Sequence, residues 1–247
     1  MASTTSEYLR SITLFPSAQS CRLYDRLIAP DLPSLGRDRT PISEVSLAAW
    51  VDSICGVIDL ASEPVTLVGH SRGGIIISEV GERQPTKVAM LVYLAAFLLR
   101  DGESLLQVAQ SDQASLVAPN LVVAADRSYM TVKEDVLKDA FYGESPDEDV
   151  ALAKMLLAPE ATGPAATPIH VSENRFGRVP RVYIECLRDK AIPLALQRQM
   201  YGNLPCQKVV SIDTDHSPFF SAPEQLVEHL IRLTISDYRL DDRAVHR

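Results

Sequence analysis

Between Val65 and Gly74 the chain reads VTLVGHSRGG, in which Gly69, His70, Ser71, Arg72 and Gly73 fit the spacing G-x-S-x-G. This pattern describes a serine on a sharp turn between a strand and a helix. Small residues two before and two after the serine let the backbone close a tight, strained turn without Cβ clashes, so that Oγ projects outward. The flanks agree with that geometry. Val65 to Val68 is apolar and partly β-branched, and Gly74 to Val80 has the character of a helix start. A glycine-rich turn of an unrelated α/β protein is the plainer alternative, and only further residues can decide against it.

The rest of the chain bounds the answer. With 247 residues and 46% hydrophobic content, and without a linker or composition shift, it predicts a single domain spanning residues 1–247. A net charge of −8 argues against nucleic-acid or anionic-membrane partners and favours a small-molecule substrate. Met1 to Arg10 has no apolar signal core, and the longest apolar run, Val88 to Leu99, is too short to span a bilayer, so the expectation is a cytoplasmic protein. Four cysteines without C-x-x-C spacing, and the lack of an H-E-x-x-H or G-x-x-x-x-G-K-[ST] motif, give no reason to expect a metal or nucleotide cofactor.

Strand-like runs at Ser11–Phe15, Arg26–Ala29, Val65–Val68, Val88–Leu94, Arg181–Cys186 and Lys208–Ile212 alternate with helical stretches at Val45–Leu60, Gly74–Glu82, Leu194–Tyr201 and Pro223–Ser236. This is the rhythm of a mostly parallel sheet covered on both faces. Ser43 and Ser46 precede the first helix, and Ser221 is placed to cap the last. From about residue 98 to 179 the strand rhythm stops. An insertion of that size, with amphipathic segments at Val132–Phe141 and Asp147–Leu157, predicts a small helical cap over the carboxyl ends of the strands. Leu98, Leu116, Phe141, Leu157 and Phe219 are candidates to line a pocket beneath it.

A serine hydroxyl needs an imidazole to take its proton. Of five histidines, His70 lies on the wrong side of the turn, His170 in the insertion, His229 on the last helix and His246 in the tail. His216 follows the Lys208–Ile212 run in a loop, at the position and in the order that α/β-hydrolases use. The orienting acid belongs at another strand end between the two. Asp189 closes RVYIECLRD, and Asp101 is the competitor one strand earlier. Asp213 and Asp215 stand too near His216 and are read as shaping its loop, and Glu185 falls inside a strand.

At these residues a resemblance becomes specific. The segment Ser172–Gln199, the run DHSPFF from Asp215 to Phe220, GHSRGG, LAAFLLRDGES and APDLPS resemble the plant methylesterase and hydroxynitrile lyase family and its bacterial carboxylesterase relatives. The resemblance implies an α/β-hydrolase fold, a catalytic Ser71–Asp189–His216 triad, no cofactor, and hydrolysis of small carboxylic esters by a serine carboxylesterase. Lyases of that family carry a lysine after the catalytic histidine, where this chain has Ser217. The chain also departs from the pattern at its first strand. Pro16 and Ser17 stand where the family has the His-Gly of its oxyanion loop, and the stretch from Ser17 to Asp31 is about a dozen residues short, about one helix. Arg72 N–H is then one oxyanion-hole donor and Ala18 N–H the candidate for the second. Without the second, the alternative is a protein that binds a small molecule on a hydrolase scaffold without turnover.

Overall fold

Strands that are apolar on both faces need cover on both sides, and the central sheet follows that rule. In the computed structural model, which describes residues 12–16 and 27–241, the chain begins with β1 (Ile12–Pro16), α1 (Leu47–Asp59), β2 (Val65–His70), α2 (Gly73–Arg83) and β3 (Val88–Leu94). A run of short elements follows: α3 (Leu105–Ser111), β4 (Leu121–Val123), β5 (Tyr129–Val132), α4 (Leu137–Phe141), α5 (Asp147–Leu156), β6 (Glu160–Ala161) and α6 (Thr162–Ala166). The main sheet resumes with β7 (Arg181–Cys186), α7 (Leu194–Asn203), β8 (Lys208–Ile212), α8 (Pro218–Ser221) and α9 (Pro223–Asp241).

The sheet order is β1-β2-β3-β7-β8. β2, β3, β7 and β8 are parallel, with Leu67 opposite Leu91, Val92 opposite Val182 and Ile184 opposite Val210. Alternating side chains send Leu67, Leu91, Tyr93 and Tyr183 to one face, where Trp50, Ile54 and Ile58 of α1 and Ile75 to Ile77 of α2 bury them. Val68, Met90, Val92, Val182 and Ile184 point to the other face, against Leu226 and Leu233 of α9. α1 starts where the sequence indicates, with the Ser46 side chain accepting from Ala49 N–H at 3.1 Å. No helix among the described residues is long and apolar enough to cross a membrane.

β1 is antiparallel to β2, so that Ile12 lies opposite Gly69 and Pro16 opposite Val65, within a sheet that is otherwise parallel. An apolar edge strand can pair in either direction, and its sequence does not specify which. Three local expectations need correction. Residues 27–29 form only an isolated bridge at Ile28, with Leu27 and Ile28 exposed, because Pro30 withholds the next ladder donor. The insertion is not purely helical: β4, β5 and β6 form a three-stranded antiparallel sheet whose strands of three, four and two residues are too short to show a period. Ser221 ends α8 and does not cap α9; its hydroxyl donates to Asp215 Oδ1 at 2.7 Å.

Two glycines give a paired test of the packing. A β-carbon on Gly74 would lie 2.2 Å from the Phe97 carbonyl oxygen, whereas one on Gly56, on the exposed side of α1, meets nothing within 4 Å. In urea unfolding, Gly74→Ala should lose at least about 2 kcal/mol, and Gly56→Ala should gain about 0.5–1 kcal/mol from helix propensity.

Candidate active site

β2 ends at His70, and the next residue, Ser71, takes φ +54. A non-glycine residue in the left-handed region is strained and needs a reason. Here the reason is close packing. A β-carbon on Gly69 would lie 2.7 Å from Gly73 O, so the two ends of the pentad touch. The turn is braced by the chain leaving β3: Ser71 N–H donates to Leu94 O at 3.2 Å, and Ser71 O accepts from Phe97 N–H at 3.0 Å. Tyr183 holds that brace, donating to Ala96 O at 2.7 Å while accepting from Ala96 N–H at 3.1 Å. Arg72 follows at the N-terminal turn of α2, where backbone amides have no intrahelical acceptor.

His216 lies in the loop after β8, buried, with Nδ1 2.8 Å from Asp189 Oδ2. A carboxylate facing Nδ1 assigns the proton to that nitrogen and leaves Nε2 as the acceptor. Asp189 is itself fixed: Oδ1 accepts from Ala191 N–H at 2.8 Å and Ile192 N–H at 2.9 Å, and Oδ2 from Gln197 Nε2 at 3.1 Å. Asp101, the competing acid, is exposed and takes Val171 N–H and the neighbourhood of His170, away from His216. Ser71 and His216 line one cavity of about 610 Å³. No hydrogen bond joins their side chains among the described contacts, a looseness common before substrate tightens a site.

His70 supports this arrangement from behind. Its Nε2 lies 2.7 Å from His216 O, and since a carbonyl only accepts, Nε2 carries the proton and donates. Burial, then the neighbouring His216 and Arg72, hold its pKa well below the usual imidazole value, so His70 stays neutral. The loop of His216 is clasped to the insertion by Asp215. Its Oδ1 accepts from Ser217 N–H at 2.9 Å, and its Oδ2 from Glu144 N–H at 2.8 Å and Ser145 Oγ at 3.0 Å.

The insertion contributes Leu121, Met130, Leu137 and Leu157 to the cavity wall, together with Phe141, whose ring centroid lies 5.5 Å from that of His216. Of the five apolar residues expected to line a pocket, Phe141, Leu157 and Phe219 do so, while Leu98 and Leu116 do not. Ser217, in place of the lyase lysine, also faces the cavity. Ala18 and His246 lie outside the described residues. Gln197 and His70 acquire roles that spacing along the chain does not announce, as does the reach of Asp215 to the insertion. The loop-shaping turn read at Asp215 is present, with its carboxylate accepting from the amide two residues on.

The "Alpha/beta hydrolase family" model matches residues 6–229. Among curated relatives, the provisionally named methylesterase 11 of Arabidopsis thaliana, a chloroplastic protein, is 32% identical over 220 residues. The match covers 84% of this chain and 56% of that protein, so the chain spans about half the length of this relative. Methylesterase 7 of the same plant is 35% identical over 218 residues, covering 83% of this chain and 84% of the relative. The crystal structure of a pyrethroid hydrolase from Sphingobium faniae JZ-2 superimposes with a TM-score of 0.76 at 28% identity, covering 85% of this chain and 87% of that one.

Neutral, half-buried His70 makes a pH test. A histidine with its folded pKa depressed takes up more protons when unfolded, so its contribution is present above about pH 6.5 and is lost as pH falls below it. His70→Gln keeps a side-chain donor for His216 O but does not titrate. Between pH 7 and pH 5, wild type should lose stability in urea relative to this variant, and parallel losses would show that His70 does not account for the acid sensitivity.

Proposed function

This chain belongs to the alpha/beta hydrolase family, and from that premise we propose that it is a serine carboxylesterase that cleaves small carboxylic esters through an acyl-enzyme. The observation that carries the reading is the 2.8 Å contact between His216 Nδ1 and Asp189 Oδ2, on a cavity whose wall also holds Ser71. Its methylesterase relatives and the pyrethroid hydrolase support ester hydrolysis as the chemistry.

In this reading Ser71 Oγ attacks the ester carbonyl carbon while His216 Nε2 takes its proton, and Asp189 keeps the imidazole in the tautomer that can accept it. The negative charge on the former carbonyl oxygen meets Arg72 N–H. The imidazolium returns the proton to the leaving alcohol, and the acyl group stays on Ser71. Water then gives a proton to His216 and attacks the acyl carbon, and as the intermediate collapses the imidazolium returns that proton to Ser71 Oγ, releasing the acid. β1 delivers Pro16 opposite Val65, at the end of β2 away from Ser71, and Ala18, the candidate for the second donor, lies outside the described residues. One donor in place of two costs about 10²–10³ in kcat. Ser217 brings no ammonium to the site, which favours hydrolysis over cyanohydrin cleavage.

Hydrolysis of a short-chain p-nitrophenyl ester should disappear in Ser71→Ala, and a fluorophosphonate probe should label Ser71 once, with labelling falling in His216→Ala. Equal ester rates in wild type and Ser71→Ala would remove Ser71 as nucleophile, and saturable ester binding with no turnover would make the protein a binding module. Asp189→Asn should lower kcat by as much as about 10⁴, by analogy with a serine protease. Asp101→Asn, exposed and remote from His216, should stay within about threefold of wild type, since surface changes of about 0.5 kcal/mol are the norm there.

A further inference from the structure

Of the charged side chains that line the cavity, Asp31, Arg72, Glu134, Lys154 and Glu160, the one that adjoins Ser71 in the chain has no role in the chemistry above. The Arg72 side chain lines the same wall as Ser71 and is 16% exposed. Its guanidinium lies over the Trp50 ring, 5.1 Å from the centroid, and Nη1 touches Glu160 Oε1 of β6. That contact lacks hydrogen-bond geometry, and both Nη1 and Nε are buried with no hydrogen-bond partner. Burial pulls the group down to about 10, so it remains a cation at neutral pH. The helix it starts gives no reason for a cation here. Arg72 sits at the N-terminus of α2, where the helix dipole disfavours positive charge, and the pentad accepts any residue at that position. A planar guanidinium stacked on an aromatic ring beside an apolar cavity is instead suited to receive a carboxylate on its fork.

We propose that Arg72 determines specificity and selects esters that carry a second, free carboxylate, such as half-esters of short dicarboxylic acids, with that carboxylate taking the place of Glu160 on the guanidinium. The inference rests on the proposed esterase reading and names its substrate class. The backbone N–H and the guanidinium of one residue then address the two ends of the acyl part, so the free carboxylate lies within an arginine's reach of the scissile carbonyl. Glu160 can give way: it is 39% exposed and belongs to a two-residue strand. In the free protein it neutralises Arg72.

The test compares monomethyl glutarate with the methyl ester of glutaramic acid, which has the same shape but no charge. Wild type should prefer the anionic ester by about tenfold in kcat/KM, mostly through KM. Arg72→Gln should bring that ratio near one, Arg72→Lys should restore part of it, and Glu160→Gln should raise it severalfold by removing the internal competitor. Trp50 is the only tryptophan in the chain, and its fluorescence gives a readout that needs no turnover. Glutarate should saturate a signal in Ser71→Ala that is lost in Ser71→Ala/Arg72→Gln. If neither ester is cleaved but glutarate binds in this Arg72-dependent way, the esterase reading fails and the anion site stands. If both esters are cleaved equally and glutarate gives no saturable signal, the anion site is overturned and the esterase stands. An unchanged ratio in both Arg72→Gln and Glu160→Gln would make the ion pair a strut, which also overturns the proposal.

Discussion

Gly74 and the Phe97 carbonyl approach so closely that no β-carbon fits between them, and this contact fixes how the start of α2 sits on the chain leaving β3. Ser71 cannot relax out of its left-handed conformation while its amide is bonded to Leu94 O and its carbonyl to Phe97 N–H. The strain is thereby stored by packing between two neighbouring parallel strands, with the serine lifted over their carboxyl edge. Tyr183, from the next strand across, ties its hydroxyl to both polar groups of Ala96 and extends the brace over three strands.

A second set of bonds brings the distant end of the chain to this turn. Asp189 accepts two backbone amides of its own turn and the Gln197 amide, so its remaining contact with His216 is directed. Asp215 reaches the other way, to Glu144 N–H and Ser145 Oγ of the insertion. The loop that carries His216 is therefore held between the sheet and the insertion. Closing the insertion over the cavity and positioning the imidazole share a buried carboxylate, and a change in either would be felt by the other. His70 adds a third support by donating to His216 O from the elbow itself.

The cavity combines an apolar wall from the insertion with a set of charged residues, Asp31, Arg72, Glu134, Lys154 and Glu160, and a low-dielectric surround strengthens any pairing made there. Arg72 answers Glu160 across the boundary between the main sheet and β6. In a chain of net charge −8, Arg72 stands beside Ser71 on the cavity wall, partly buried and paired with Glu160. Recognition of an anion inside the cavity is compatible with an acidic exterior, since buried pairs are screened far less than surface ones.

The sequence by itself determined the strand-turn-helix around Ser71, the apolar runs that become β2, β3, β7 and β8, the α1, α2, α7 and α9 positions, and His216 with Asp189 or Asp101 as its candidate acids; the structure pairs His216 with Asp189. Each has a local signature: a pentad with small residues at fixed offsets, apolar runs of five to seven residues, a serine cap, and polar residues just past strand ends. Tertiary structure alone decided the direction of β1, the three-stranded sheet inside the insertion, and the partners of Gln197, Asp215, His70 and Arg72. Most of these depend on groups far apart in the chain, up to 146 residues for His70 and His216, and neither a two-residue strand such as β6 nor a single polar side chain carries a period from which such a partner could be inferred. The side-chain pattern of a strand reports which face is buried but not which way the neighbouring strand runs, so β1 reads the same in either direction.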